Sequence, residues 1–386
     1  MKYLLIANPE NRRVAFFQGA LAASSHEPAT VIAHTDWLAG RVDLAAHITP
    51  ETVIRIESPG ENPETQRQLL IRGARHPDAS IDEVDAARVQ FDRGRLDHPL
   101  QKALGWQVAL QELEAILDEN PHRAVMNHPG DVAMMFDKAR THDLFAQADV
   151  PCAPYLGRVS GYEELREVLR DADCQRAFIK LRHGSSASGV VAYRFNDRYE
   201  EAITSSLMRP GPGGSTHIYN CLKIQRYNRR EQIELLIDTL ATQQVIVERW
   251  VPKARYNGKQ FDVRAVVIDG RSRHKVARMS ASPMTNLHLG NERGDLDELC
   301  DEFGDALLDR IDASAEAALA AFSRSLYAGV DVLVTPGGGS CFALEINAFG
   351  DLIPNLTHEG QDTYTAQVHA MDARLGEDHL SEDANS

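Results

Sequence analysis

The segment GVDVLVTPGGGSCFALEINAFGD, residues 329–351, constrains the fold of this chain more than any other. Two apolar runs flank a PGGGS turn at 336–340, so the segment reads as a β-hairpin. If residue 335 faces 341, Asp331 lies directly opposite Glu345. Asn347 then shares the face of Glu345, because side chains alternate along a strand. Carboxylates inside runs as apolar as VDVLV and FALEIN are costly unless something pairs with them. A solvated strand face also carries Asp and Glu, but the apolar setting favours a different reading. Oxygens of Asp331, Glu345 and Asn347 form a ligand set for a hard divalent cation, Mg²⁺ or Mn²⁺, whose shell water and phosphate complete.

A second hairpin lies in AFIKLRHGSSASGVVAYRF, residues 177–195. Its HGSSASG loop (183–189) offers backbone N–H groups and the hydroxyls of Ser185, Ser186 and Ser188 to phosphate oxygens. Lys180 precedes the loop on a strand, within reach of the same phosphates. A Gly/Ser turn beside a lysine is also simply a turn. With two glycines, three serines and few apolar anchors, the loop is expected to be loosely held until phosphates order it.

Between the hairpins runs VIVERWVPKARYNGKQFDVRAVVIDG, residues 245–270. The apolar strand entering Glu248-Arg249-Trp250-Val251 offers backbone groups to an adenine edge. Asp262 and Arg264 share one strand face, the next strand adds Arg278, and the following loop adds Asn286 and His288. A single arginine here would read as a surface ion pair. Two arginines with an amide suit a triphosphate or an acyl phosphate.

The 386-residue length implies two or three domains. Strands alternating with helices make residues 1–125 an open α/β unit. Residues 126–250 and 251–375 are two further units of α+β character, and 376–386 a mobile acidic tail. The pattern predicts one helix over 131–147, a helix over about 197–207, and a long loop from 281 to about 305. Trp106, Leu110, Leu113 and Leu117 form a core-facing helix stripe. Asn8, Asn11 and Arg12 follow the first strand at its carboxyl end, where such sheets place ligands. They serve equally well as a turn and helix start.

The formal net charge of −15 lacks the basic footprint of a general nucleic-acid or anionic-membrane binder. Five scattered cysteines with no CxxC pair argue against a disulfide framework and against a cysteine zinc site. No apolar run approaches the roughly 18 residues of a membrane span, and the MKYLLIANPENRR start lacks the longer apolar segment of a signal peptide. A cytoplasmic location is the expectation, with a homodimer as the base-rate oligomer.

In their order and spacing, DK (137–138), FIK with HGSSASG, VERWV, FDVRAVVIDG, ARMS, NLHLG and the VD…LEIN hairpin resemble the ATP-grasp superfamily over about 125–355. Residues 1–125 look like its substrate-side α/β domain. The NLHLG loop and GVD lead-in look closest to the glutathione synthetase and ribosomal-protein glutamate ligase branch. The resemblance implies that Lys138 and Lys180 contact the nucleotide phosphates under a lid formed by residues 183–189 (His183, Gly184, Ser185, Ser186 and Ala187 among them). It further implies that Glu248, Arg249, Trp250 and Val251 read adenine and that Asp262 lies near the ribose. Arg278 would serve the phosphate side, and Asp331, Glu345 and Asn347 would hold Mg²⁺. The implied activity is ATP-dependent carboxylate–amine ligation through an acyl phosphate, on an amino acid, peptide or natural-product intermediate. A small-molecule kinase on the same fold and a nucleotide-binding protein without turnover are the alternatives.

Overall fold

In the computed structural model, described over residues 1–60, 62–119, 124–185 and 187–384, the chain forms three sheets. The first contains β1 (Lys2–Ala7), β2 (Thr30–Ala33), β3 (Thr52–Ile56) and β4 (Ala124–Val125) in the order β2-β1-β3-β4, all parallel. Both faces are covered, which is why its strands are mostly apolar, with Arg55 of β3 as the buried exception. Leu4, Ile6 and Ile54 meet Trp106, Leu110, Leu113 and Leu117 of the helix Pro99–Asp118. Tyr3, Leu5 and Val53 meet Val14, Phe17 and Leu21 of the helix Arg12–Ala23.

The second sheet contains β5 (Tyr155–Val159), β6 (Arg176–Leu181), β7 (Val191–Phe195), β8 (Glu200–Pro210), β9 (Thr216–Tyr227) and β10 (Val245–Arg249). Its order is β5-β10-β6-β7-β8-β9, antiparallel throughout. Helices Tyr162–Asp171 and Arg230–Ala241 pack on one face through Leu165, Leu169, Ile233 and Leu236, against Ile179, Leu181 and Tyr193. Alternation sends Phe178 and Lys180 to the other face. The third sheet contains β11 (Arg255–Tyr256), β12 (Lys259–Ile268), β13 (Arg271–Ser280), β14 (Glu292–Gly294), β15 (Tyr327–Val334) and β16 (Cys341–Asn347). Its main order is β14-β13-β12-β15-β16, with β11 on β12.

Three sequence expectations are corrected. Residues 200–210 are strand β8, not a helix: Ala202–Ser206 is buried between β7 and β9, and its Thr-Ser-Ser run is poor helix material. The expected helix over 131–147 is two helices, Pro129–Met135 and Lys138–Gln147, broken where the Asp137 carboxylate caps the second. Their Val132, Met135 and Phe145 pack with the first and third sheets, not with the second. The expected loop 281–305 contains the helix Leu296–Phe303, capped by Asp295. Residues 376–384 continue the helix Thr363–Ala384, and the last two residues lie outside the described ones.

The register of β15 on β16 has an unexpected route to the expected result. Thr335 N–H donates to Ser340 O, and Val332 pairs with Ala343, so the turn is one residue tighter than 335 facing 341. A bulge at Leu344 absorbs the difference and brings Asp331 opposite Glu345. Within β15, position 329 favours glycine because a Cβ there would lie 2.5 Å from Gly350 O. Gly329→Ala is expected to lower stability by about 1–3 kcal/mol, measured by denaturant unfolding; a change below ~0.5 kcal/mol would contradict the crowding.

A buried ion network fixes the first sheet to the segment after β16. The fully buried Arg55 donates to Glu57 at 2.7 Å, to Asp351 at 2.7 Å and to Gln367 at 2.5 Å. Arg13 donates to Asp351 and to Phe349 O, each at 2.5 Å. Asn8 and Asn11 serve structure: Asn8 joins Pro59 O to Thr65 Oγ1, and Asn11 caps the helix Arg12–Ala23. Arg12 is exposed.

Candidate active site

The uncovered face of the second sheet and the third sheet enclose a cleft of about 810 Å³ open to solvent. Phe178, Val190, Met284, Leu333 and Leu344 give it apolar walls, a setting that suits a flat aromatic base. Lys138, Lys180, Lys253 and Arg278 reach it from four separate elements. Opposite them stand Glu248, Asp262, Asp331 and Glu345.

Each cation is paired. Lys180 Nζ donates to Glu248 Oε2 at 2.6 Å; burial would lower its pKa, but the carboxylates of Glu248, Glu345 and Asp331 together outweigh burial and raise it. Glu248 is itself buried, which favours its neutral form. Lys180 and His142 override this and hold its pKa at about 2. Lys138 Nζ donates to Gly184 O at 2.6 Å and lies 2.7 Å from Glu345 Oε1. Lys253 donates to Asp262 at 2.7 Å and to Thr285 at 2.6 Å, with burial pushing its pKa down. Arg278 bridges Asp262 at 2.7 Å and Asp331 at 3.0 Å. Asp262 is thus a charge hub joining Lys253, Arg278 and Thr285.

Of the residues singled out from sequence, the cleft wall contains Lys138, Lys180, Gly184, Ala187, Ser188, Glu248, Arg249, Val251, Asp262, Arg278, Asn286, Asp331 and Glu345. Others are displaced for identifiable reasons. The His183 ring is anchored on Phe136 O at 3.0 Å, and burial lowers its pKa to about 4. Ser185 is exposed at the loop tip, and Ser186 lies outside the described residues. Trp250 backs Phe178, with ring centroids 5.2 Å apart. Arg249, although it borders the cleft, turns its guanidinium out to Ala172 O at 2.8 Å. Arg264, paired in register with Asp331 and on the same face of the third sheet, grips that carboxylate and donates to Gly350 O at 3.3 Å, outside the cleft lining. Asn347 turns its amide to Gly329 O at 3.5 Å.

The loop over the cleft is better fastened than its composition predicts. Ala187 O accepts from Ser205 Oγ at 2.7 Å, and Ser188 Oγ from Asn220 Nδ2 at 3.0 Å, so β8 and β9 hold its second half. Sequence reading missed Lys253, Thr285 and His142. Lys253 had a signal, since it stands two residues beyond Val251 and its partner Asp262 needed a cation.

The donor chemistry fits a nucleotide phosphate chain. For a cation, Asp331 and Glu345 give two facing carboxylates on the cleft, which suits an ion such as Mg²⁺ that keeps water and phosphate oxygens. Among the described residues no three His, Cys, Asp or Glu side chains gather as a metal cluster. No helix among them is long and apolar enough to cross a membrane.

Solved structures that match the chain over almost its whole length show that it has the ATP-grasp fold. The chain is similar to D-cycloserine synthetase DcsG, with a TM-score of 0.52, 16% identity and coverage of 96% of this chain and 99% of that one. It is similar to the ATP-grasp ligase PsnB complexed with minimal precursor, at TM-score 0.52, 15% identity and coverage of 97% and 99%. The macrocyclase MdnC from Microcystis aeruginosa MRC, bound with its precursor peptide MdnA, gives TM-score 0.51, 12% identity and coverage of 97% and 100%. No protein-family model and no curated protein matches the sequence.

Proposed function

We propose that this protein is an ATP-dependent carboxylate–amine ligase working through an acyl phosphate. The observation that carries the reading is the convergence of Lys138, Lys180, Lys253 and Arg278 on one cleft, beside Asp331 facing Glu345. The fold it shares with the D-cycloserine synthetase DcsG and the ATP-grasp ligase PsnB supports it.

A substrate carboxylate oxygen attacks the γ-phosphorus of ATP, and ADP leaves. An amine then attacks the acyl carbon, and phosphate leaves with that carboxylate oxygen. Lys138, Lys180 and Arg278 neutralise charge spread over the phosphate oxygens and hold the chain in line. Phe178, Met284 and Leu333 wall the base, with the Glu248–Val251 backbone at its edge. Asp262 orients Lys253 and Arg278. Asp331 and Glu345 would hold Mg²⁺, which supplies further charge neutralisation at the phosphates. The 183–189 loop keeps water from the activated acyl group. The acid and amine belong to the amino acid, peptide or natural-product class, and the reaction takes place in the cytoplasm.

Incubating the protein with ATP, Mg²⁺, a panel of such acids and hydroxylamine tests the reading. Equal amounts of ADP and hydroxamate are expected for at least one acid. ADP with a stable phosphorylated product and no hydroxamate would make the protein a kinase, and absence of ADP throughout would make it a binder.

A further inference from the structure

We propose that His142 is a positioning residue of the nucleotide site: it holds Glu248 from behind, so that Lys180 can leave that carboxylate for the phosphates of ATP. This rests on the reading of the cleft as an ATP site.

His142 lies one turn after Lys138 in the helix Lys138–Gln147, on the same side of it. Its buried ring stacks on Tyr155 with centroids 5.1 Å apart. Nδ1 lies 3.7 Å from Cys152 Sγ, and Nε2 lies 3.0 Å from Glu248 Oε1. The other oxygen of Glu248 accepts from Lys180 at 2.6 Å. One buried carboxylate therefore serves two groups. Burial works against charge on the imidazole, but Cys152 and Glu248 outweigh it and raise its pKa to about 9, so the ring is a cation at neutral pH.

The arrangement solves a problem of partner exchange. In the empty cleft the Lys180 ammonium needs a counter-charge, and Glu248 supplies it. When a triphosphate enters, Lys180 has a better partner. Glu248, 2% exposed, would then be a buried carboxylate without a cation, which is a costly state. With His142 charged beside it, Glu248 stays compensated after Lys180 turns away. A neutral residue at 142 therefore penalises nucleotide binding more than folding, because in the empty protein Lys180 still neutralises Glu248. A purely structural His142 would show the reverse.

The test titrates a non-hydrolysable ATP analogue with Mg²⁺ into wild type, His142→Asn and the double variant His142→Asn/Glu248→Gln. Asn keeps a donor but no charge. Its affinity for the analogue is expected to fall by about tenfold or more, with a small change in Tm. The double variant should bind more tightly than His142→Asn, since no carboxylate remains to be left unpaired. Unchanged affinity in the single variant, or no recovery in the double, overturns the proposal. Nitrogen-15 NMR of histidine-labelled wild type needs no variant: both ring nitrogens of His142 should be protonated at pH 7, with and without the analogue. A neutral imidazole in either state overturns the proposal. Wild type that fails to bind the analogue at all would overturn the ATP reading, and this inference with it.

Discussion

Replacing Lys180 with Ala is expected to reduce ADP formation by roughly 10²- to 10³-fold, the loss typical of removing one preorganised group from developing charge. The apo Tm should move far less. Lys180 sits on β6 in a sheet whose packed face is made by its neighbours Ile179 and Leu181, so its side chain does little for the core. The carboxylate it leaves behind, Glu248, keeps His142 at 3.0 Å. Steady-state kinetics beside a thermal melt separate the two effects. Near-normal turnover in Lys180→Ala would remove the residue from the phosphate site. An equal collapse of Tm and turnover would reduce it to a structural ion pair.

Glu345→Gln is expected to cost more than about 10²-fold in turnover at millimolar Mg²⁺, since a lost metal contact in such a site is worth several kcal/mol. Glu345 stands opposite Asp331 across the β15–β16 pair, and Lys138 holds it at 2.7 Å. The amide is nearly isosteric and leaves the bulge at Leu344 intact, so the fold should be retained by circular dichroism. Raising Mg²⁺ should recover part of the activity. Full activity at low Mg²⁺ would show that Glu345 only anchors Lys138.

What the sequence made legible depended on periodicity and local chemistry. Asp331 and Glu345 were readable because a short Gly-rich turn leaves few possible registers and one face had to hold both. The turn itself was misjudged by one residue, and only the bulge at Leu344, which has no local signature, restored the pairing. Lys180 and Asp262 followed from strand alternation. The strand β8 was not legible, because residues 197–207 carry helix formers at their start and owe their extended state to pairing with β7 and β9. Side-chain direction was least accessible. Trp250, His183 and Asn347 lie in the expected segments, yet Phe178, Phe136 O and Gly329 O draw them off the cleft. His142 became visible only when β10 and the helix Lys138–Gln147 met, since its place depends on Glu248, far along the chain.

The most direct test of acyl-phosphate ligation follows one oxygen atom. An acid that supports hydroxamate formation is supplied with both carboxylate oxygens as oxygen-18, together with ATP, Mg²⁺ and the amine, and the released phosphate is examined by mass spectrometry. Attack of the carboxylate on the γ-phosphorus predicts one oxygen-18 in every phosphate formed with product. Phosphate free of label, with amide still accumulating, would contradict the acyl phosphate and with it the central chemical claim.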